Sequence, residues 1–171
     1  MRVKHNDCPI PKRFMLHPGG ENIRHELDIW VTGGARIKLK VLIFKKPKDL
    51  CMFWKKTLGR DLGGSQKEGY ATQGCVSALM NDVESYKDPK KVRKWSEVDP
   101  NYFAVMGLCL DFLTPEVLIH ECVHAAYAYE KRRKGMFWID KDEIDEESIA
   151  YPTGRIAKVL MRRLAEKNLL N

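Results

Sequence analysis

The sequence predicts an α+β domain, with strands in the first two thirds of the chain and two long helices in the carboxyl-terminal third. Residues 37–44 alternate with the period of a β-strand, whereas residues 114–134 and 142–169 follow the period of α-helices. The chain has 171 residues. This length fits one hydrophobic core, because single domains usually contain about 100 to 200 residues. We therefore treat residues 1–171 as one domain.

Composition excludes several classes of protein. Hydrophobic residues make up 44% of the chain and charged residues 31%, which is enough apolar material for a core and too little bias for a disordered chain. No apolar run approaches the roughly 18 to 20 residues that cross a bilayer, and Met1–Arg13 lacks the apolar region of a signal peptide. The five cysteines form no C-x-x-C pair, which is typical of a reducing compartment. We expect a cytoplasmic protein with no membrane contact.

The amino-terminal part is weakly patterned, apart from one strand. Residues 1–36 form a loop-rich basic segment, with a short element expected around Arg24–Val31. Alternating apolar residues predict a strand over 37–44 with one fully buried face. Pro47 ends this pattern, and Asp49 is placed to cap a short helix that runs to about Leu58.

The middle of the chain gives weaker signals. Four glycines in Gly59–Gly69 predict a loop, and Lys87–Lys94 predicts a charged linker. Tyr70–Met80 predicts a second strand. Asn101–Asp111 is apolar enough for either a third strand or a buried helical segment, and periodicity does not decide between them.

Two helices are predicted in the carboxyl-terminal third. Thr114 supplies a hydroxyl N-cap, Pro115 occupies the first helical position, and four basic residues, Lys131–Lys134, lie in the last turn. The second helix is predicted to begin near Asp142 and to run to about Leu169, with a possible kink at Pro152.

The first of these helices contains the motif HECVH. A spacing of four residues puts His120 and His124 on one helical face, where both imidazoles can bind one metal ion. Glu121 lies beside them as a candidate general base, since zinc lowers the pKa of a bound water to about 7 and a carboxylate can take its proton. Cys122 and Val123 point away from this face and are predicted to lie in the core.

The choice of a third metal ligand is narrowed by elimination. No His or Cys follows His124, so a downstream protein ligand is a carboxylate, unless one of the three amino-terminal histidines folds in. Acidic residues are concentrated in the run Asp140–Glu147. Glu147 lies in the first turns of the second helix, where it can face a histidine pair, and Glu146 remains its alternative.

At these residues the chain resembles a known family. The segments LTPEVLIHECVHAAY and DEESIAYPTGRI are similar to gluzincin-type zinc metallopeptidases, and the step from Glu147 to Ala150 resembles the second motif of the ImmA/IrrE-like peptidases and of small phage or prophage proteins. The resemblance implies a zincin-like fold, in which a small mixed sheet packs on the active-site helix and a following ligand helix. It also implies Zn²⁺ held by His120, His124 and Glu147, a protein or peptide substrate, and a location in the bacterial or host cytoplasm.

Two tyrosines are candidate catalytic residues. Tyr127 shares the face of the two histidines, and Tyr151 shares the face of Glu147. Either could donate a hydrogen bond to a developing oxyanion. The alternative for both is aromatic packing between the two helices.

The charge distribution supports a second hypothesis of a different class. Residues 1–60 carry 14 Lys and Arg against 5 Asp and Glu, a balance of +9, whereas the whole chain carries +7. Such a segment can attract nucleic acid or an acidic protein. The alternative function is therefore a binding protein that interferes with a host defence system, with a structural or vestigial zinc site.

Overall fold

The computed structural model describes residues 22–32, 37–57, 74–78, 101–134 and 145–170. The elements are β1 (Ile23–Trp30), β2 (Lys38–Phe44), α1 (Pro47–Thr57), β3 (Gly74–Ala78), β4 (Tyr102–Cys109), a short 3₁₀ turn (Leu110–Phe112), α2 (Pro115–Lys134) and α3 (Glu146–Glu166). The loop predicted at 59–69, the linker at 87–94 and most of the basic segment 1–36 lie outside the described residues.

The four strands form one mixed sheet in the order β1-β2-β4-β3. β2 and β4 are parallel neighbours at the centre, whereas β1 and β3 pair with them as antiparallel strands at the two sides. The ambiguous segment 101–111 is therefore a strand. All eight residues of β4 are buried, because both faces of this central strand are covered. The α+β class and the mixed sheet are confirmed.

Helices cover both faces of the sheet, and each face has its own apolar cluster. On the inner face Leu39, Val41 and Ile43 of β2 pack with residues of α2 and α3. On the outer face Leu42 and Phe44 pack with α1. The predicted fully buried face of this strand is therefore confirmed, and the opposite face is largely buried as well, since six of the seven residues of β2 are buried.

A glycine permits the close approach of α1 to the sheet. A methyl group added at Gly107 in β4 would overlap Cδ1 of Leu50 and lie 2.6 Å from Cζ3 of Trp54. Both side chains are fully buried. A larger residue at this position would force α1 away from the sheet, because interiors have no spare volume for a displaced indole.

The boundaries of α2 agree with the prediction, and those of α3 do not. Thr114 Oγ1 accepts a hydrogen bond from the Val117 amide at 3.4 Å, at the predicted N-terminus of α2. α3 begins at Glu146 rather than near residue 142, because Asp145 has extended backbone angles and its carboxylate accepts from the Ser148 amide at 2.7 Å. Pro152 lies inside α3, which continues to Glu166.

Two lysines of the basic region 1–60 form ion pairs within the fold. On β1, the Asp28 carboxylate forms ion pairs with the ammonium groups of Lys40 at 2.5 Å and Lys38 at 3.2 Å. It also accepts a hydrogen bond from the Tyr102 hydroxyl at 3.0 Å. Lys38 also lies over the Trp30 ring, 4.6 Å from its centroid. Burial raises the pKa of Asp28, but these hydrogen bonds and the charge of Lys40 outweigh burial and lower it. Asp28 therefore offsets one of the two positive charges of these lysines.

In the part of the chain that the structure describes, no helix is both long enough and apolar enough to cross a membrane.

Candidate metal centre

Helix α2 has a buried face and an exposed face, and the motif spans both. Leu118, Cys122 and Ala125 recur at helical spacing and are buried in the inner cluster. His120 and His124 lie on the opposite side and are exposed. The prediction that Cys122 belongs to the core is confirmed, while Val123 is half-buried.

The two histidines converge on one point. Their Nε2 atoms lie 3.1 Å apart, and their rings meet edge to face with centroids 4.7 Å apart. Burial and the neighbouring His120 lower the pKa of His124. A lowered pKa favours the neutral imidazole, which is the form that binds a metal ion.

The spacing of these nitrogens fits zinc. Two nitrogens bound to zinc at about 2.0 to 2.1 Å in a tetrahedral arrangement lie roughly 3.3 to 3.4 Å apart. The observed separation of 3.1 Å is close to this value. The donor set is also suitable, since imidazole nitrogen is a common zinc ligand. His120 and His124 therefore need little movement to hold one zinc ion between them.

Glu121 sits beside the pair in an unusual environment for a carboxylate. The residue is only 5% exposed, and its Oε2 atom is buried without a hydrogen-bond partner among the described residues. Burial raises the pKa of Glu121 from 4.5 to about 7. A carboxyl group with such a pKa can exchange a proton near neutral pH, which suits a general base.

The Glu121 side chain packs against strand β3, and we call this buried position the seat of Glu121. A methyl group added at Gly74 would lie 2.7 Å from Cγ of Glu121 and 3.0 Å from both Cδ and Oε1. The side chain of Glu121 therefore occupies the space that any other residue at position 74 would fill. Sequence reasoning missed Gly74, because nothing in the local pattern links a strand glycine to a glutamate 47 residues away.

The predicted third ligand, Glu147, lies in the first turn of α3. Among the described residues, no group of three His, Cys, Asp or Glu side chains is arranged to hold a metal ion, so Glu147 is not gathered with the histidine pair. Glu147 is exposed and lines a cavity of about 400 Å³ between β1, α2 and α3. The alternative, Glu146, is exposed as well. That either residue completes the site remains a prediction.

The same cavity contains the second candidate tyrosine. Tyr151 is 61% exposed and lines the cavity with Glu130 and Arg133. Glu130 is buried and accepts two hydrogen bonds from Arg133 Nε at 3.0 Å and one from Nη2 at 2.8 Å. Tyr151 and Glu147 thus line the same cavity, as expected for two residues on one face of α3.

Tyr127 remains on the face of the histidines. It lies three residues after His124, and its side chain is 42% exposed. Ile119, which precedes His120, is 48% exposed. The histidine pair is therefore bordered along α2 by accessible apolar and aromatic surface. This surface was not identified from the sequence, because exposed and buried apolar residues alternate within the same turns.

Comparisons with known proteins do not identify a family. No protein-family model matches the chain, and no curated protein or solved structure matches it.

Proposed function

We propose that the protein is a zinc-dependent peptidase. The observation that carries this proposal is the pairing of two exposed imidazoles, whose Nε2 atoms lie 3.1 Å apart, with a buried carboxylate on the adjacent residue. Two imidazoles supply a chelating site, and a carboxylate with a raised pKa supplies a base. This combination is the one that metal-assisted hydrolysis of a carbonyl compound requires.

Each residue has a defined task in the proposed reaction. His120 and His124 would hold the zinc ion, which when bound lowers the pKa of water and polarises a carbonyl group. Glu121 would accept a proton from the attacking water on its carboxylate and pass it to the amine that leaves when the peptide C–N bond breaks. A pKa of about 7 allows both transfers near neutral pH. Tyr127, which is exposed on α2 three residues after His124, is the proposed donor of a hydrogen bond to the developing oxyanion.

A peptide is the substrate class that the surroundings favour. β3 pairs with β4 and with no other described strand, and it carries the glycine that contacts Glu121. An extended peptide can add to such a strand edge through main-chain hydrogen bonds. Ile119 and Tyr127 offer apolar contact on the other side of the histidine pair. A peptide bond held at the edge of β3 would therefore lie close to the proposed base.

The third ligand is part of the proposal. We propose Glu147 for this position because of its resemblance to the second peptidase motif, with Glu146 as the alternative. Both are exposed in the first turn of α3, so neither is committed to a packed environment. Binding by Glu147 would require its carboxylate to leave the cavity that it lines with Arg133.

No observation among the described residues of the basic segment favours the nucleic-acid-binding alternative. Lys38 and Lys40 contact Asp28, and both ammonium groups lie against aromatic rings. Asp28 offsets one of these two positive charges, which reduces their long-range attraction of a polyanion.

Metal content is the first test of the proposal. The full chain purified without added zinc, and again after zinc is supplied, is analysed by mass spectrometry beside His120→Ala, His124→Ala and Glu147→Ala. We expect about one zinc per chain in the wild type and loss in both histidine variants. Retained zinc in Glu147→Ala, with loss in Glu146→Ala, would assign the ligand to Glu146. Absence of zinc from the wild type at saturating supply would contradict the proposal.

Peptide hydrolysis is the second test. Glu121→Gln keeps the size of the side chain but cannot accept a proton as a carboxylate. We expect it to bind zinc as the wild type does and to lose at least about 100-fold in kcat, the usual contribution of a general base. Cleavage of a peptide library by Glu121→Gln at the wild-type rate would refute the assigned role.

A further inference from the structure

Gly74 is the first residue of β3 and faces the helix that carries the metal site. In the antiparallel ladder it pairs with Leu108, whose side chain lies in the inner cluster beside α2. Cys75, the next residue, pairs with Gly107 and packs against the outer cluster. The alternation of the strand therefore directs position 74 towards Glu121.

The space at Gly74 is already occupied by the Glu121 side chain. Carbon atoms in contact normally lie about 3.5 to 4.0 Å apart. A methyl group at position 74 would instead lie 2.7 Å from Cγ and 3.0 Å from Cδ of Glu121. The glycine is required for this space and not for its backbone conformation, because it lies within an extended strand.

One side of this contact can move more easily than the other. β3 is held by the ladder that runs from the pair Gly74 and Leu108 to the pair Ala78 and Ala104. The Glu121 side chain rotates about single bonds, and its Oε2 atom has no hydrogen bond among the described residues to hold it. An alanine at position 74 would therefore displace the carboxylate rather than the strand.

We propose that Gly74 is a positioning residue for Glu121. Its missing side chain sets the distance between the Glu121 carboxylate and the histidine pair, and it keeps that carboxylate in its buried seat. The catalytic consequence rests on the proposed peptidase function. The contact itself does not, and it can be tested without any activity.

The same substitution, glycine to alanine, can be made at three positions and compared as a matched set. Gly74→Ala is compared with Gly107→Ala, which meets the outer cluster, and with Gly154→Ala, which meets nothing within 4 Å. Each substitution is made in the full chain and in a Glu121→Ala background. The thermal midpoint, zinc content, kcat and KM are measured for all of them.

The expected coupling is specific to position 74. Removing the Glu121 side chain empties the space that the new methyl group needs. Gly74→Ala should therefore lower the thermal midpoint less in the Glu121→Ala background than in the wild type, with a difference of about 3 °C or more between the two shifts. Gly107→Ala and Gly154→Ala should each shift the midpoint equally in the two backgrounds. If Gly74→Ala does not fold, restored folding in the double variant is the supporting result.

The activity readouts separate positioning from general damage. We expect Gly74→Ala to lower kcat at least about 10-fold at unchanged zinc content and KM, because small displacements of a catalytic group are costly. Gly154→Ala should match the wild type. Equal midpoint shifts for Gly74→Ala in both backgrounds, or wild-type kcat in Gly74→Ala, would overturn the proposal. If no peptidase activity exists, the midpoint comparison still decides the contact.

Discussion

Burial of Glu121 should make the stability of the metal-free protein depend on pH in a defined direction. Burial raises the pKa of Glu121 from 4.5 to about 7 in the folded state. The folded protein therefore binds this proton more tightly than the unfolded chain does. Its contribution to stability is fully present below about pH 4.5 and is lost as the pH rises towards 7.

The size of the effect follows from the two pKa values. Each pH unit between them corresponds to about 1.4 kcal/mol, so a difference of about 2.5 units gives a loss of at most about 3.5 kcal/mol. Residual access of water to the carboxyl group reduces it, and we expect about 1 to 2 kcal/mol. Glu121→Gln has no proton to release, so it should lack this loss.

The assay is urea unfolding of the wild type and Glu121→Gln in the presence of a metal chelator, at several pH values from 4.5 to 8. The difference in unfolding free energy between the two proteins removes the contribution of other groups that titrate in the same range. We expect the wild type to lose stability relative to the variant as the pH rises. Parallel curves across this range would show that the carboxylate is not buried as described.

Three further predictions concern the framework around the site. Asp28→Asn should destabilise the protein by about 1 to 2 kcal/mol in urea unfolding at pH 7, because it leaves the Lys38 and Lys40 ammonium groups less well paired. This loss of stability should shrink as the pH falls through the lowered pKa of Asp28, and a loss that stays constant with pH would contradict the prediction. Arg133→Met should cost about 1 to 2 kcal/mol by leaving Glu130 buried without its partner, whereas Glu130→Gln in that background should recover part of the loss. Gly154→Ala should raise the free energy of unfolding by about 0.5 to 1 kcal/mol, since it adds helix propensity in open space; a loss would indicate a contact that the structure does not contain.

The features that sequence reasoning predicted well are those set by neighbouring residues. Thr114 and Pro115 mark the start of α2, and a four-residue spacing brings His120 and His124 together, because helical geometry alone decides both. The strand over 38–44 follows from its alternation in the same way.

The features that were missed depend on partners far apart in the chain. The strand character of 102–109 is decided by burial on both faces of a central position, which local periodicity does not reveal. The seat of Glu121 depends on a glycine in another strand. The third ligand is not among these features, because Glu147 lines the cavity beside α2 and its role stays a prediction.

The topology separates in time the formation of the histidine pair from the placement of Glu121. His120 and His124 acquire their spacing as soon as one helix forms, which is a local event of microseconds or less. The seat of Glu121 exists only after β3 has joined β4, and β4 itself pairs in parallel with β2 across a long stretch of chain. Such non-local pairings form late. A folding chain would therefore bring the two proposed zinc ligands together before the proposed base is in place, and the proposed activity would appear only once the sheet is complete.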